Sequence, residues 1–255
     1  MGTTLSETNL VNHQNYYIFD AQVMVVMRTW NTSNGTTLQR VLFGRSNVYM
    51  LINETYRLLV DTGAKTDVNK LLRRLVSTGK PDGVIMTHTH FDHMGNAGTL
   101  KDRYAPVFII QEAEKEYLER GDSPLPKGTC RWTRVISKLG TEKVPHWFRS
   151  RGVKADIFFR ERYNLAAFGF NAYVLHTDGH SPGSSSVIID NEMALVGDAL
   201  MGVPGMLFPP YADNIPAVVQ SWKKLLDTGC QTFHPAHGFP VDRKKLELAY
   251  RRRVR

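Results

Sequence analysis

The stretch Thr87-His88-Thr89-His90-Phe91-Asp92-His93-Met94-Gly95 places three histidines and one aspartate within six positions. It directly follows Gly83-Val84-Ile85-Met86, a short apolar run that is typical of a buried strand. Imidazole nitrogens and carboxylate oxygens are common ligands of zinc and iron. Four such groups at the end of a strand are costly to desolvate unless a cation pairs with them. The stretch therefore predicts a metal site.

The spacing within this stretch indicates room for two ions. His88 and His90 are two residues apart, so on an extended chain they point to the same side. Asp92 and His93 follow where we expect the chain to turn into a helix. One short loop could therefore serve two adjacent metal positions. The alternative, a solvated loop that is merely rich in histidine, does not account for four ligand-type side chains directly after a buried strand.

The composition is that of an ordinary globular protein, with 42% hydrophobic and 10% aromatic residues in a chain of 255. No apolar stretch approaches the roughly 18 residues needed to cross a bilayer. The polar segment 1–17 lacks the basic start and apolar middle of a secretion signal. Cys130 and Cys230 form neither a disulfide framework nor a metal-binding pair. We therefore expect a cytoplasmic protein without a membrane partner.

The net charge of +8 is partly concentrated in two basic runs, 243–245 and 251–253. A solvated terminal helix with cations at the negative end of its dipole explains these runs. The alternative is a patch for an anionic partner. Because no aromatic series is interleaved for base stacking, we expect a small-molecule substrate rather than nucleic acid. The sequence is compatible with a homo-oligomer.

Apolar runs and helical periodicities alternate along the chain. The run 18–26 predicts a strand, short strands follow up to Val60, and strands return between 157 and 196. Helical spacing predicts helices over 66–78, 112–120 and 216–227, and a basic helix at the end. Sheets that are apolar on both faces need cover on both. The pattern therefore predicts an α/β (α+β) protein built as a four-layer αββα sandwich.

We find no clear linker and therefore interpret 1–255 as a single domain. The segment 121–160, which holds Pro124, Pro126, Gly128 and Pro145, is the least regular part. We interpret it as an insertion between core elements that could cap the site.

Three further motifs follow predicted strands. They are His176-Thr177-Asp178-Gly179-His180-Ser181-Pro182-Gly183, Gly197-Asp198-Ala199, and Phe233-His234-Pro235-Ala236-His237-Gly238. Each places a histidine or carboxylate beside glycine, where backbone can approach a site closely. Gly-Asp-Ala alone carries no signal, and a lone histidine is usually structural. When they follow the histidine loop in this order, however, the three motifs together form a specific sequence signal.

With these motifs and Val60-Asp61-Thr62-Gly63, the chain resembles the metallo-β-lactamase-fold hydrolase superfamily over about residues 40–240. The resemblance implies an αββα sandwich with two divalent metal ions at the shared edge of both sheets. It implies that one ion is held by His88, His90 and His180. The other ion would be held by Asp92, His93 and His237. Asp198 would bridge the two ions. By the same resemblance Asp61 orients the loop from behind the ligands.

Two nearby histidines compete for ligand roles. His176 lies four residues before His180, at a position where the family often has a histidine that is not a ligand, so we interpret it as structural or as a support behind the ligands. His234 is the only serious rival of His237, and the pattern Pro-Ala-His-Gly favours His237. His13 and His146 lie outside every motif, and no role is assigned to them.

Zinc is the expected metal, although these ligands also suit iron or manganese. Two such ions make hydroxide available near neutral pH, because zinc lowers the pKa of bound water to about 7. We expect Asp92 and Asp198 to be the catalytic carboxylates, with Asp92 orienting the nucleophile and passing on its proton. The apolar segment after Asp198 is either a packed connection or a substrate wall. In the second case Met206, Phe208 and Tyr211 would contact substrate, and the Tyr211 hydroxyl could donate to an oxyanion.

The Gly-His-Ser-Pro-Gly and Gly-Asp-Ala pieces are similar to glyoxalase II and to quorum-lactone hydrolases. Only residues 238–255 follow His237, so the helical domain that holds glutathione in typical glyoxalase II is not found in this sequence. The first hypothesis is hydrolysis of an ester, lactone or thioester. One alternative is a single-iron persulfide dioxygenase, which by resemblance would use His88, His180 and Asp198. Another is a metal-dependent nuclease or phosphodiesterase, which the positive charge would suit.

Overall fold

Two β-sheets pack face to face in the computed structural model, which describes residues 15–20, 23–140 and 149–254. The first sheet has eight strands in sequential order: β1 (Asn15–Asp20), β2 (Val23–Asn31), β3 (Thr37–Leu42), β4 (Val48–Ile52), β5 (Arg57–Val60), β6 (Gly83–Ile85), β7 (Val107–Gln111) and β8 (Ile157–Phe159). The second has six strands, which are also neighbours in sequential order: β9 (Arg162–Asn164), β10 (Ala172–His176), β11 (Ser185–Ile189), β12 (Met193–Gly197), β13 (Thr232–Pro235) and β14 (Val241–Asp242).

Strand direction decides where the polar motifs meet. In the first sheet β1 to β5 pair antiparallel, whereas β5, β6, β7 and β8 are parallel neighbours. In the second sheet β10, β12 and β13 run in the same direction, because β11 pairs antiparallel with both β10 and β12 and because β13 is parallel to β12. The ends of parallel strands lie at one edge of a sheet. Asp61, the histidine loop, His180, Asp198 and His237 all follow strands that end in this way.

The described ranges contain six α-helices: α1 (Val68–Thr78), α2 (Ala97–Tyr104), α3 (Lys115–Arg120), α4 (Arg131–Gly140), α5 (Ile215–Asp227) and α6 (Arg243–Arg253). Of these, α1, α2, α3, α5 and α6 contribute side chains to the core clusters on the outer faces of the sheets. No helix in the described ranges combines the length and the apolar character needed to span a bilayer.

Neighbouring residues of one strand serve different core layers. Leu58 packs between the two sheets with Val174, whereas Leu59 packs under α1 with Leu71 on the opposite face. On the far side Trp222 of α5 lies in a third cluster against the second sheet. Such strands are apolar on both faces because both faces are covered. The predicted αββα layering is therefore confirmed.

Several element boundaries differ from the sequence prediction. The apolar run 18–26 is divided between β1 and β2, which pair antiparallel, instead of forming one strand. The helix predicted from residue 112 begins at Lys115, after a short 3₁₀ turn over Glu112–Glu114. The segment 121–160 contains α4 and ends in β8, which belongs to the first sheet. His13 and His146 lie outside the described residues.

Candidate metal centre

The predicted ligand side chains converge at the common edge of the two sheets. Their ligand atoms form three overlapping groups, within each of which all atoms lie within 4.8 Å of one another. The groups are His88, His90 and His180; His88, His93 and Asp198; and Asp92, His93 and His237. The structure thus brings together the seven side chains that the sequence singled out, from loops of both sheets.

Asp198 lies between the two outer groups. Its Oδ2 is 3.4 Å from Nε2 of His180, and its Oδ1 is 3.3 Å from Nε2 of His237. The same Oδ1 is 3.5 Å from Nε2 of His93. Two ligands at zinc–nitrogen and zinc–oxygen bond lengths around a tetrahedral ion lie about 3.4 Å apart. These separations therefore fit shared coordination better than direct hydrogen bonds.

Several buried polar atoms at this edge have no hydrogen-bond partner among the described residues. They include Nε2 of His88, Nε2 of His93 and Oδ1 of Asp198. In addition, Nδ1 of His90 and Nε2 of His180 face each other at 2.9 Å. Leaving buried polar atoms unsatisfied costs about 1–3 kcal/mol each. A cation satisfies them together, and the mixed nitrogen and oxygen donor set fits a divalent transition metal.

The electrostatics of the cluster also suit a cation. Burial lowers the pKa of His88 and of His90, and the neighbouring imidazoles lower it further, so both rings are neutral and can offer a lone pair. Burial opposes ionisation of Asp198, but His237, His93 and His180 outweigh it and hold its pKa well below the usual range. Burial likewise opposes a charge on His93, but Asp61 and the other carboxylates raise its pKa to about 10.

Asp61 accepts hydrogen bonds from two residues of the histidine loop, Thr87 and His93. It follows β5 with φ 62°, a left-handed conformation that is uncommon for a residue other than glycine. Its Oδ1 accepts a hydrogen bond from Thr87 N at 2.8 Å. Its Oδ2 accepts from the Thr87 hydroxyl at 2.8 Å and from Nδ1 of His93 at 2.9 Å. This hydrogen bond fixes one proton on Nδ1 and directs Nε2 of His93 at the cluster, where a metal ion would bind by displacing the second ring proton.

Two other contacts support the His180 loop. Nδ1 of His180 donates to the backbone oxygen of Tyr211 at 2.8 Å, which leaves Nε2 free to act as a ligand. Nε2 of His176 donates to the backbone oxygen of Pro182 at 2.9 Å. His176 therefore contacts the loop backbone, in keeping with the supporting role expected for it.

The structure separates the two rival histidines of the last motif. His234 is buried between the sheets, with its ring 4.7 Å from that of Trp30 and 5.7 Å from that of Tyr49. His237 instead places Nε2 3.5 Å from Oδ2 of Asp92. This geometry favours His237, which the sequence preferred, as the ligand.

A cavity of about 550 Å³ adjoins the cluster. Its apolar lining consists of Phe91, Leu125, Pro126, Met201, Val203, Met206, Pro210 and Tyr211. Val203 and Met206 lie at the ends of a turn closed by a 2.9 Å hydrogen bond from Met206 N to Val203 O, with Pro204 and Gly205 (φ 76°) at its centre. That arrangement is a type II turn, which requires a positive φ at its third residue.

Phe208 does not belong to this lining. Its ring packs at 5.5 Å on that of Trp222 in the core cluster under α5, and the Arg253 guanidinium lies 3.8 Å from its ring centroid. Of the three residues expected to contact substrate, Met206 and Tyr211 line the cavity and Phe208 does not; contact with substrate stays a prediction. The chain around Pro209 and Pro210 turns too irregularly for sequence to show which side chains face the site.

Sequence reasoning missed Glu114, a buried carboxylate that accepts hydrogen bonds from Thr89 in the histidine loop and from Ser181 next to His180. It lies in the charged stretch 112–120, where it cannot be distinguished by pattern from its exposed neighbours. Sequence reasoning also missed Leu125 and Pro126, which bring the 121–160 segment to the cavity wall.

The family model of the metallo-beta-lactamase superfamily matches residues 41–237. The chain belongs to the metallo-beta-lactamase superfamily. A probable metallo-hydrolase of Streptococcus pyogenes serotype M6 is 28% identical over 157 residues, which are 60% of this chain and 61% of the relative. A metallo-beta-lactamase fold-containing protein of Sulfurisphaera tokodaii is 25% identical over 209 residues, 79% of this chain and 76% of that protein.

Solved structures of superfamily members show the same fold. A metallo-beta-lactamase family protein of Thermus thermophilus superposes with a TM-score of 0.62 at 20% identity, covering 85% of this chain and 79% of that one. Another structure, described as a di-iron-bound form, has a TM-score of 0.57 at 24% identity and covers 83% of this chain and 96% of that one. The resemblance inferred from the motifs is confirmed, and so is membership of a superfamily that includes metallo-hydrolases.

Proposed function

We propose that this chain is a hydrolase with two divalent metal ions that cleaves an ester, a lactone or a thioester. The observation that carries the proposal is the position of Asp198 between the two ligand groups, within 3.3–3.5 Å of nitrogens of both. His88, His90 and His180 would hold one ion, and Asp92, His93 and His237 the other. Zinc is the proposed metal, with iron or manganese as alternatives; the di-iron neighbour supports iron.

The residues around the ions have distinct proposed tasks. Bound divalent ions supply hydroxide near neutral pH and polarise the attacked carbonyl group. Asp92 borders the cavity and would orient the nucleophile, then pass its proton to the leaving alkoxide or thiolate. Tyr211 also borders the cavity, and its hydroxyl would donate a hydrogen bond to the oxygen on which negative charge develops.

The cavity lining supports an uncharged, largely apolar substrate. Its polar residues are those of the ligand cluster, Ser137 and Tyr211, and no lysine or arginine is among the described residues that line it. Away from the proposed ions, a second phosphate or carboxylate of the substrate would lose its hydration without gaining a cationic side chain. The lining therefore favours substrates that are uncharged outside the reacting group, such as simple esters, lactones and thioesters. The cavity is also large enough for a small molecule, since such sites measure about 300–1,000 Å³.

The test combines metal analysis with a substrate panel. Purified chain should contain two metal ions and hydrolyse uncharged esters, lactones or thioesters. Asp198→Ala should lose metal and turnover, whereas the matched control Asp227→Ala, an exposed aspartate paired with Lys223, should behave like the wild type. Wild-type activity in Asp198→Ala would refute the proposal. One iron per chain with oxygen uptake would establish the persulfide dioxygenase alternative, and polynucleotide cleavage with steep salt dependence would establish the nuclease.

A further inference from the structure

One buried carboxylate, that of Glu114, joins the two loops that carry the three-histidine group. Glu114 directly precedes α3 and is 1% exposed. Its Oε2 accepts hydrogen bonds from the backbone N of Thr89 at 3.1 Å and from the Thr89 hydroxyl. Its Oε1 accepts from the Ser181 hydroxyl at 2.6 Å and from Gly183 N at 3.1 Å. Each carboxylate oxygen thus accepts hydrogen bonds from a different loop.

The donors flank the histidines of one ligand group. Thr89 lies between His88 and His90, and Ser181 follows His180. The side chain of Glu114 therefore fixes the separation between the loop of the first sheet and the loop of the second sheet that together form this group. The other group depends on a different carboxylate, because Nδ1 of His93 is held by Asp61.

The carboxyl group of Glu114 matches this arrangement of donors. Its two oxygens can accept about four hydrogen bonds. Glutamine would turn an NH₂ group towards the donors of one loop and leave them without an acceptor. The packing is also tight, since a Cβ added at Gly183 would lie 2.5 Å from Cγ of Glu114.

We propose that Glu114 is a positioning residue for the metal ion on His88, His90 and His180, and that it sets the affinity of that ion with little effect on the other. The proposal rests on the two-ion site of the proposed function. It assigns Glu114 no contact with substrate or metal.

The experiment titrates metal-free chain with Zn²⁺ in competition with a chromophoric chelator, which resolves two dissociation constants. His88→Ala removes a ligand of the three-histidine group and identifies its constant. Glu114→Gln should weaken that constant about 10- to 100-fold, as loss of a residue supporting metal ligands does, and should change the other less than threefold. Glu116→Gln, which changes an exposed glutamate in the first turn of α3, is the matched control and should bind metal like the wild type.

Thr89→Val provides a second, milder test. It removes only the hydroxyl donor, keeps the backbone donor, and should weaken the same constant several-fold. Thermal melting of each metal-free variant separates lost positioning from lost folding. If Glu114→Gln fails to fold, Thr89→Val decides. A folded Glu114→Gln or Thr89→Val protein with both constants unchanged, or weakened equally, overturns the proposal. A wild-type chain that binds fewer than two ions refutes the two-ion site itself instead.

Discussion

Asp61→Asn tests how the histidine loop is held. Asparagine is among the residues that tolerate the left-handed backbone seen at position 61, so the chain path should persist. The amide oxygen can still accept from Thr87 N. The amide NH₂, however, replaces the oxygen that accepts from Nδ1 of His93. The His93 proton is then favoured on Nε2, the atom that faces Asp198.

The size of the effect follows from these hydrogen bonds. A hydrogen bond to a charged group contributes about 1.5–3 kcal/mol and a neutral one about 0.5–1.5 kcal/mol. The variant loses the hydrogen bond from His93 and weakens the one from Thr87 N. Together these changes should lower the free energy of unfolding by about 3 kcal/mol. At roughly 2 °C per kcal/mol for a chain of this size, Tm falls by about 6 °C. Metal affinity should fall about 10- to 100-fold, because His93 no longer presents a lone pair.

The same variant should change the pH dependence of the metal-free protein. The pKa of His93 is raised from 6.5 to about 10, with Asp61 as its largest favourable cause. Stability from this group is therefore fully present below pH 6.5 and is lost as the pH rises through 10. In Asp61→Asn the free energy of unfolding should therefore decrease less steeply as the pH rises from 6.5 to 10.

The assays are chelator competition with Zn²⁺ and thermal melting between pH 6 and 10. Asp102→Asn is the matched control, because Asp102 is an exposed aspartate on α2 that pairs with Arg151. Such surface pairs contribute about 0–1 kcal/mol, so this variant should bind metal like the wild type. If Asp61→Asn also binds metal like the wild type and melts within about 1 °C of it, the account of Asp61 is wrong.

Three further outcomes are expected. His180→Ala should lose turnover and one metal ion by mass spectrometry; retained activity would exclude His180 as a ligand. Met206→Lys, at the half-exposed cavity rim, should reduce kcat/KM for an uncharged apolar ester about fivefold, or about 1 kcal/mol, with metal content unchanged. At pH 8 iodoacetamide should label Cys130, which is exposed and whose pKa is lowered by the Thr133 hydroxyl, but not Cys230, where burial raises the pKa to about 11; equal labelling of both would contradict this.

The layering and the ligand motifs could be predicted because both are encoded locally. Strands such as β5 are apolar at every position after Arg57, which indicates two covered faces. Ligands lie in short motifs at strand ends, and parallel strands carry those ends to one edge. His237 could be preferred over His234 from its glycine neighbour, but only the fold shows that His234 lies beside Trp30 between the sheets.

The residues that escaped prediction depend on contacts between distant segments. Glu114 meets Ser181 across 67 residues, and nothing near Glu114 in sequence indicates that it is buried. Phe208 and Tyr211 are three residues apart in an irregular segment, so no periodicity assigns one to the core and the other to the cavity. The division of 18–26 between two strands was missed because only Asp20 and Gln22 interrupt an otherwise apolar run.

The origin of the seven clustered side chains would give the proposed metal ions a structural role as well. His88, His90, Asp92 and His93 come from a loop of the first sheet, whereas His180, Asp198 and His237 come from loops of the second. Ions bound by both sets would cross-link the sheets at the edge where buried polar atoms replace the apolar contacts of the core. A ligand that binds only the folded state stabilises it by about 4 kcal/mol at a thousand times its dissociation constant. Metal ions at the proposed site would therefore hold the two sheets together in addition to supporting the proposed catalysis.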